Sequence, residues 1–256
     1  MPIAKADYIE GLAKGLAVLE AFDTERQRLN ATLAAQRTGI TRAAARRHLL
    51  TLAELGYLES DGSHYWLSAR VLRFAGSYMA TSRLPRTLQP TLNRLAAQTQ
   101  ASFSAVVLEG GEGVIVARSA GSAEPVRAQA YGLHLGARLP AHATSTGRVL
   151  LACLSKADFK AWLTGRELAR ITPQTEVKPA AFKALIEQVR ADDYCLAREA
   201  HELGIHALAV PLRNMQGQTL AALNVVGMAE QLTESAVQRK WLPLLLDAAR
   251  ELRVLL

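Results

Sequence analysis

The segment from Leu29 to Leu67 predicts two short helices, a tight turn between them and a hairpin after them. Gly39 lies at the turn, where the backbone commonly needs a residue that tolerates a positive φ. Thr41 is the predicted N-cap of the second helix, because its hydroxyl can accept a hydrogen bond from a free backbone N–H group. Spacings of three and four residues predict one apolar face on this helix, formed by Ala45, Leu49 and Leu52.

The same segment concentrates positive charge. Six arginines and no carboxylate lie between Arg26 and Ala53, and such a field attracts the phosphate backbone of nucleic acids. The formal net charge of +7 and the sequence pI near 9.7 favour the same kind of partner. Arginine also matches the hydrogen-bonding edge of guanine. We therefore predict that the second helix enters the major groove of double-stranded DNA; the alternative is a solvated basic face.

The candidate DNA contacts divide between bases and phosphates. On the second helix we place Arg42, Ala43 and Arg46 near base edges, and Thr41 and Arg47 near phosphates. The hairpin turns at Asp61-Gly62, a strong local turn signal. A hairpin in this position is typical of a wing over the sugar-phosphate backbone. His64 is its candidate phosphate contact, and the alternative is an ordinary exposed turn residue.

The length of 256 residues suits two domains. We predict a winged helix-turn-helix DNA-binding domain over residues 1–68, a linker helix over 69–83 and a second domain over 84–256. An amphipathic helix from Tyr8 to Phe22 would complete the first domain. The linker helix carries three large apolar residues that need a cover, namely Leu72, Phe74 and Tyr78. The same helix of a second subunit would bury them.

The second domain has strands in neighbouring pairs with helices around them, which predicts an α+β domain on an antiparallel sheet. The predicted strands are Ser102–Glu109, Val114–Ser119, Val126–Tyr131, Tyr194–Ala197, His206–Arg213 and Gln218–Val226. The predicted helices are Leu88–Thr99, Thr146–Leu154, Lys156–Leu163, Ala180–Arg190 and Glu234–Leu255.

Ser145 and Thr146 stand just ahead of an apolar helix and among small neighbours. Free backbone N–H groups and the positive end of the helix dipole would lie there, which makes the position suitable for a small carboxylate. The alternative is a capped, buried helix without a ligand.

Three stretches of the chain together resemble the IclR family of bacterial transcription regulators. They are YIEGLAKGLAVLEAF, TGITRAAARRHLLTLAELGYL and LPAHATSTGRVLLA, beginning at Tyr8, Thr38 and Leu139. The headpiece is especially similar to the branch that controls protocatechuate, 4-hydroxybenzoate and β-ketoadipate catabolism. The resemblance implies a winged helix-turn-helix, a linker helix and a GAF-like effector-binding domain in a dimer or tetramer. It also implies control by a small organic acid, and the apolar character of the predicted pocket favours an aromatic one.

The resemblance places the effector pocket on residues from several elements: Tyr131, Leu139, Ser145, Thr146, Ala207, Asn224 and Val226. The chain departs from the family after the strand at Tyr194, where many members carry an acidic cluster and this chain has Arg198. We consider two roles for Arg198, pairing with an effector carboxylate or forming a structural ion pair with Glu199 or Glu202.

Two other functions are weighed against a regulator. An enzyme is disfavoured because the residues of nucleophile and base type, Ser145, His142, Cys195 and His201, lie in no recognised catalytic or metal-binding spacing, so we predict no catalytic residue, metal or cofactor. An architectural DNA-binding protein that ignores effectors is the stronger alternative. Two cysteines in apolar contexts and the lack of a signal peptide or long apolar run predict a cytoplasmic protein without membrane partners.

Overall fold

The computed structural model describes residues 3–23, 26–119 and 134–256. It divides into two compact units, Met1–Thr81 and Ser82–Leu256. The elements of the first unit are α1 (Glu10–Glu20), α2 (Ala31–Thr38), α3 (Arg42–Glu54), β1 (Leu58–Ser60), β2 (Tyr65–Leu67) and α4 (Leu72–Thr81), with single 3-10 turns at Lys5–Asp7 and Ala69–Val71.

The local signals of the helix-turn-helix are confirmed. Asn30 caps α2 by accepting from two backbone N–H groups, and Gly39 ends that helix with φ of +70°. The Thr41 hydroxyl accepts from the N–H of Ala44 at 3.2 Å, so α3 begins where the cap predicts. These caps satisfy N–H groups that a helix start otherwise leaves unbonded.

The core of the first unit joins one face of α3 to its neighbours. Ala45, Leu49 and Leu52 are buried as predicted, and they pack with Val18 of α1. The predicted helix between Tyr8 and Phe22 is present as α1, but Leu12 and Leu16 are 60% and 50% exposed. The helix therefore presents an apolar strip to the outside of this unit, in addition to the face that meets α3.

The hairpin forms a small antiparallel sheet. Strands β1 and β2 pair from Leu58 with Leu67 to Ser60 with Tyr65. The chain before α2 adds a further bridge, in which the backbones of Leu29 and Tyr65 exchange hydrogen bonds of 2.8 and 2.9 Å. This bridge ties the base of the hairpin to the start of the helix-turn-helix.

The second unit is built on a six-stranded antiparallel sheet with the order β5-β4-β3-β8-β7-β6. Its strands are β3 (Ser102–Glu109), β4 (Glu112–Ser119), β5 (Arg138–Leu139), β6 (Cys195–Arg198), β7 (Ile205–Arg213) and β8 (Thr219–Met228). Its helices are α5 (Arg83–Thr99), α6 (Ser145–Ala152), α7 (Lys156–Leu163), α8 (Pro179–Asp192), the short α9 (Glu234–Ala236), a π-helical segment (Val237–Trp241) and α10 (Leu242–Arg253). The predicted α+β class is confirmed.

Helices cover both faces of this sheet. One core packs α5 and α10 on one face and includes the fully buried Phe103. The other core packs α6, α7 and α8 on the opposite face and includes the fully buried Phe182. Because successive strand residues point to opposite faces, each strand supplies side chains to both cores in alternation.

Two boundaries differ from the predictions, and one predicted strand cannot be compared. Helix α5 begins at Arg83 rather than at Leu88, because Pro85 lies in its first turn, where a missing N–H costs no helical bond. The single helix predicted for Glu234–Leu255 is interrupted by the π-helical segment. The strand predicted for Val126–Tyr131 lies outside the described residues. Among the helices in the described ranges, none is long and apolar enough to cross a membrane.

Candidate functional site

The exposed side of α3 is the first candidate surface. Thr41, Arg42, Ala43, Arg46 and Arg47 are all exposed. No ion pair among the residues that the structure describes engages the three arginines. Their guanidinium groups are therefore available to phosphates and base edges, while the small Ala43 allows a close approach.

The hairpin turn carries a negative charge, on the carboxylate of Asp61. The Asp61 carboxylate accepts from the N–H groups of Ser63 and His64 at 2.9 and 2.8 Å and from the Ser63 hydroxyl. These hydrogen bonds lower the pKa of Asp61 to about 2. The half-buried His64 lies directly beside this carboxylate, which also pairs with Arg28 at 3.3 Å. A phosphate contact by His64 must therefore overcome the repulsion of an ionised neighbour.

The second candidate site is a cavity in the second unit. It lies between the start of α6 and strands of the sheet, and its wall is mostly apolar with a few polar groups, as is usual for small-molecule sites. Most of its wall is apolar or small, formed by Val106, Ile115, Leu139, Ala143, Ala197, Ala200, Ile205, Ala207 and Val226. Its polar residues are Ser104, Thr144, Ser145, Thr146, His201, Glu202 and Asn224.

Hydrogen-bond donors collect where α6 begins. Thr144 caps the helix by accepting from the N–H of Gly147 at 3.2 Å, and its carbonyl accepts from the N–H of Arg148 at 3.0 Å. The N–H groups of Ser145 and Thr146, in the first turn, have no partner among the described residues. The fully buried Ser145 hydroxyl also has no partner. A carboxylate placed here would accept from backbone donors and from this hydroxyl.

A second polar pair lies on the floor of the cavity. Ser104 of β3 and Asn224 of β8 are directly opposite each other in the sheet. The Asn224 side-chain oxygen accepts from the Ser104 N–H at 3.1 Å. This bond assigns the oxygen to the sheet, so the amide NH₂ group can donate to a ligand.

Two histidines lie close enough to interact, and one of them, His201, lines the cavity. Burial lowers the pKa of His201, and the nearby His142 lowers it further. Burial also lowers the pKa of His142, whose Nε2 donates at 2.8 Å to the carbonyl of Ala169. Both imidazoles are therefore held neutral at pH 7, and His201 can exchange a hydrogen bond with a ligand without adding charge to the cavity.

The depressed pKa values predict a loss of stability in acid. As the pH falls below about 6.5, histidines of the unfolded chain take up protons that the folded chain does not accept. The free energy of unfolding should therefore decrease from pH 7.5 to pH 5.5, as measured by thermal denaturation. The His201→Gln variant should show a shallower decrease. Equal slopes in the wild type and in the His201→Gln variant would contradict this assignment.

The structure gathers most of the predicted effector residues. Leu139, Ser145, Thr146, Ala207, Asn224 and Val226 all line the cavity, whereas Tyr131 lies outside the described residues. Sequence reasoning did not place several other lining residues there, notably Ser104, Val106, Ile115 and Glu202, and it considered His201 only as a catalytic type. Alternation along β3 identifies Ser104 and Val106 as sharing a face, but nothing local identifies what that face meets.

The structure contradicts both of the roles that were considered for Arg198. Its side chain is 54% exposed and pairs with Glu234, so it neither enters the cavity nor bonds to Glu199 or Glu202 as considered. The reason is strand alternation, because the preceding Ala197 lines the cavity and the next side chain points away from it. The Glu199 carboxylate instead accepts from the N–H of Gly204 at 2.7 Å.

The described part of the chain contains no cluster of three or more histidine, cysteine or acidic side chains that could hold a metal ion. Cys195 is buried, and burial raises the pKa of its thiol. Apart from the carboxylate of Glu202, the cavity is thus lined by hydrogen-bond donors, apolar side chains and one neutral imidazole, a set suited to binding a small acid.

Comparison with known proteins assigns the class. The model of the IclR helix-turn-helix domain matches residues 11–62, and the model described as the bacterial transcriptional regulator IclR C-terminal domain matches residues 76–254. The chain belongs to the IclR family of transcriptional regulators, which bind DNA through a helix-turn-helix and are not enzymes.

Two relatives and one solved structure show which members of the family this chain resembles. The chain is 47% identical over 254 residues to the Pca operon regulatory protein of Acinetobacter baylyi, covering 99% of this chain and 91% of that protein. It is 50% identical over 252 residues to the p-hydroxybenzoate hydroxylase transcriptional activator of the same organism, covering 98% and 93%. A solved complex of a double mutant of the PobR inducer-binding domain from Acinetobacter with 3-hydroxybenzoic acid is 45% identical, with a TM-score of 0.62, and covers 67% of this chain and 98% of that one.

Proposed function

We propose that this regulator controls genes for the catabolism of hydroxybenzoates or related aromatic acids, and that such an acid binds in the cavity beside α6. The observation that carries the proposal is the fully buried, unpartnered Ser145 hydroxyl beside the free N–H groups of the first helical turn. The names of the relatives support it, since they refer to the pca operon, to p-hydroxybenzoate hydroxylase and to bound 3-hydroxybenzoic acid.

The cavity suggests how the acid is oriented. Its carboxylate accepts from the N–H groups of Ser145 and Thr146 and from the Ser145 hydroxyl, where the helix dipole favours negative charge. The aromatic ring packs between apolar side chains such as Val106 and Ile115. Ring hydroxyls then lie within reach of the remaining polar lining, where Asn224 donates and His201 accepts.

The DNA-binding role rests on the first unit. In this proposal Arg42, Ala43 and Arg46 approach base edges, Thr41 and Arg47 approach phosphates, and His64 approaches a phosphate from the hairpin. Residues 1–68 form the DNA-binding domain, residues 69–83 the linker helix and residues 84–256 the effector-binding domain.

The exposed apolar side chains of α4 support an oligomer. Leu72, Phe74 and Tyr78 are 65%, 61% and 46% exposed, which leaves more large apolar surface in water than is usual for a helix of a monomer. A second copy of the helix covers it in a homodimer, and two dimers can form a tetramer. Two-fold symmetry then requires operator half-sites about one helical turn of DNA apart, or a multiple of that distance.

An operator-binding titration tests the proposal. Fluorescence anisotropy with the DNA upstream of the regulated genes should show tight binding whose affinity changes when 4-hydroxybenzoate, 3-hydroxybenzoate or protocatechuate is added. An aliphatic acid of equal charge serves as the control. Tight binding that no aromatic acid alters would favour an effector-independent architectural protein and would contradict the proposal.

The Ser145→Ala variant should move stability and affinity in opposite directions. Without ligand, removing a buried hydroxyl that has no partner should leave the free energy of unfolding unchanged or slightly raise it. The affinity for the aromatic acid should fall by about 1.5–3 kcal/mol, the usual value of a hydrogen bond to a charged group. Thermal denaturation and calorimetric titration measure the two effects. A loss of stability without a loss of affinity would assign Ser145 a structural role only.

A further inference from the structure

One charged side chain of the second unit is buried outside the effector cavity. Arg148 of α6 is only 5% exposed. Its Nε–H donates to the backbone carbonyl of His142 at 2.8 Å. None of the carboxylates in the described ranges forms an ion pair with its guanidinium. Burial of a cation is costly unless it is paired and hydrogen-bonded, so the remaining guanidinium donors indicate a missing anion.

Arg148 is accessible from one direction. It lines a cleft between α8 and the edge strand β6. The cleft walls include Leu185, Val189, Tyr194, Cys195 and Leu196. This cleft and the effector cavity share no lining residue, although Arg148 lies on the same helix as Ser145 and Thr146. The cleft is therefore a separate place of access to α6.

The acidic side chains of the cleft are engaged elsewhere. Both oxygens of Asp192 accept from the Gln188 amide at 2.9 Å, and Glu234 pairs with Arg198 at the mouth. Cys195 lies beside the guanidinium but is a buried neutral thiol, and so it supplies no counter-charge. Asp192 and Glu234 both contribute negative charge to the cleft, but neither forms an ion pair with Arg148 in the parts of the chain that the structure describes.

We propose that this cleft binds a small oxyanion, a phosphate or a carboxylate group, on the guanidinium of Arg148. A planar guanidinium presents paired N–H donors that match two oxygens of such a group, and the pairing strengthens where water is excluded. The bound anion neutralises the charge that α6 carries into the protein interior. It thereby stabilises the helix whose first turn holds the proposed effector donors.

Thermal denaturation of the full chain at constant ionic strength tests the proposal, with inorganic phosphate replacing chloride. The wild type and the Arg250→Met variant, which loses an exposed arginine of α10, should gain about 2–4 °C in Tm at phosphate concentrations several times Kd. The Arg148→Met variant should gain only the general salt effect of phosphate. An equal gain in all three proteins would overturn the proposal.

Further measurements distinguish the possible causes of the rise in Tm. Acetate at the same ionic strength distinguishes a carboxylate from a phosphate site, and a response to neither anion overturns the proposal. The Ser145→Ala variant should keep the full phosphate response, because the effector cavity is a different site. If the Asp192 carboxylate pairs with Arg148 in solution, two results follow. The Asp192→Asn variant will have a lower Tm, and the Tm of the wild type will not respond to phosphate. These results would also overturn the proposal.

Two further measurements test the proposal if the Arg148→Met variant does not fold. Arg148→Lys keeps the charge but loses the paired donors, so it should fold and respond less than the wild type. A selenate soak of wild-type crystals needs no variant. An anomalous peak within hydrogen-bonding distance of the guanidinium is expected, and a vacant cleft at saturating selenate would contradict the proposal.

Discussion

Replacing Gly147 with alanine should destabilise the second unit and abolish effector binding together. Gly147 lies in α6 against the preceding turn, and an added Cβ would stand 2.3 Å from both the Cα and the carbonyl oxygen of Ala141. These are backbone atoms, so the clash is relieved only by moving the turn away from the helix. We expect a loss of about 3 kcal/mol, the upper end of overpacking costs, and a fall of roughly 6–12 °C in Tm.

The same movement displaces the donors of the first helical turn. Thr144, Ser145 and Thr146 lie between the clashing turn and Gly147, so the aromatic acid should no longer raise Tm in this variant. Gly11→Ala is the matched control, because a Cβ there meets nothing within 4 Å and the residue is also helical. That variant should be as stable as the wild type or slightly more stable. A Gly147→Ala protein that melts at the wild-type temperature would show that the turn can move without cost.

Replacing Arg46 with alanine should cost about 1–3 kcal/mol in operator affinity, roughly a 5- to 150-fold change, if the side chain reads a base. The physical reason is the loss of paired hydrogen bonds to a guanine edge from an exposed, unpaired guanidinium on α3. Affinity for random DNA should fall much less. Fluorescence anisotropy on the operator and on a scrambled duplex, repeated at several salt concentrations, measures both quantities.

The salt dependence separates the two possible roles of Arg46. A contact to phosphate alone would weaken both duplexes alike and reduce the slope of log K against log salt by about one. Arg250→Ala removes an equal charge from an exposed position of the second unit and should leave operator affinity near the wild-type value. Equal losses on operator and scrambled DNA would exclude base reading by Arg46.

The helix-turn-helix was predictable because its signals are local. The turn at Gly39, the cap at Thr41 and the buried residues of α3 depend on neighbours within a few positions, and the structure confirms each of them. Most strand positions in the second unit were also predictable, since alternation and turn residues act over short distances. The exposure of Leu12 and Leu16 was not, because amphipathicity does not say which part of an apolar face finds a partner.

The effector cavity was only partly predictable. Ser145 and Thr146 follow from the helix start they occupy, which is a local feature. The pairing of Ser104 with Asn224 joins strands 120 residues apart in the chain, and a register shift of one position would turn both side chains away from the cavity. His201 lines the cavity from the loop that precedes β7, and no local sequence signal gives the position of that loop.

The residue sequence by itself determined the two kinds of site: a basic reading helix, and a helix start able to hold a small acid. Only the tertiary structure decided the surroundings of the individual charges. Arg198 points out to Glu234, whereas Arg148 is buried without a carboxylate partner in the described parts of the chain. Both are arginines near apolar segments, and the difference arises from strand pairing and helix packing between distant residues, which set the direction and solvation of each side chain.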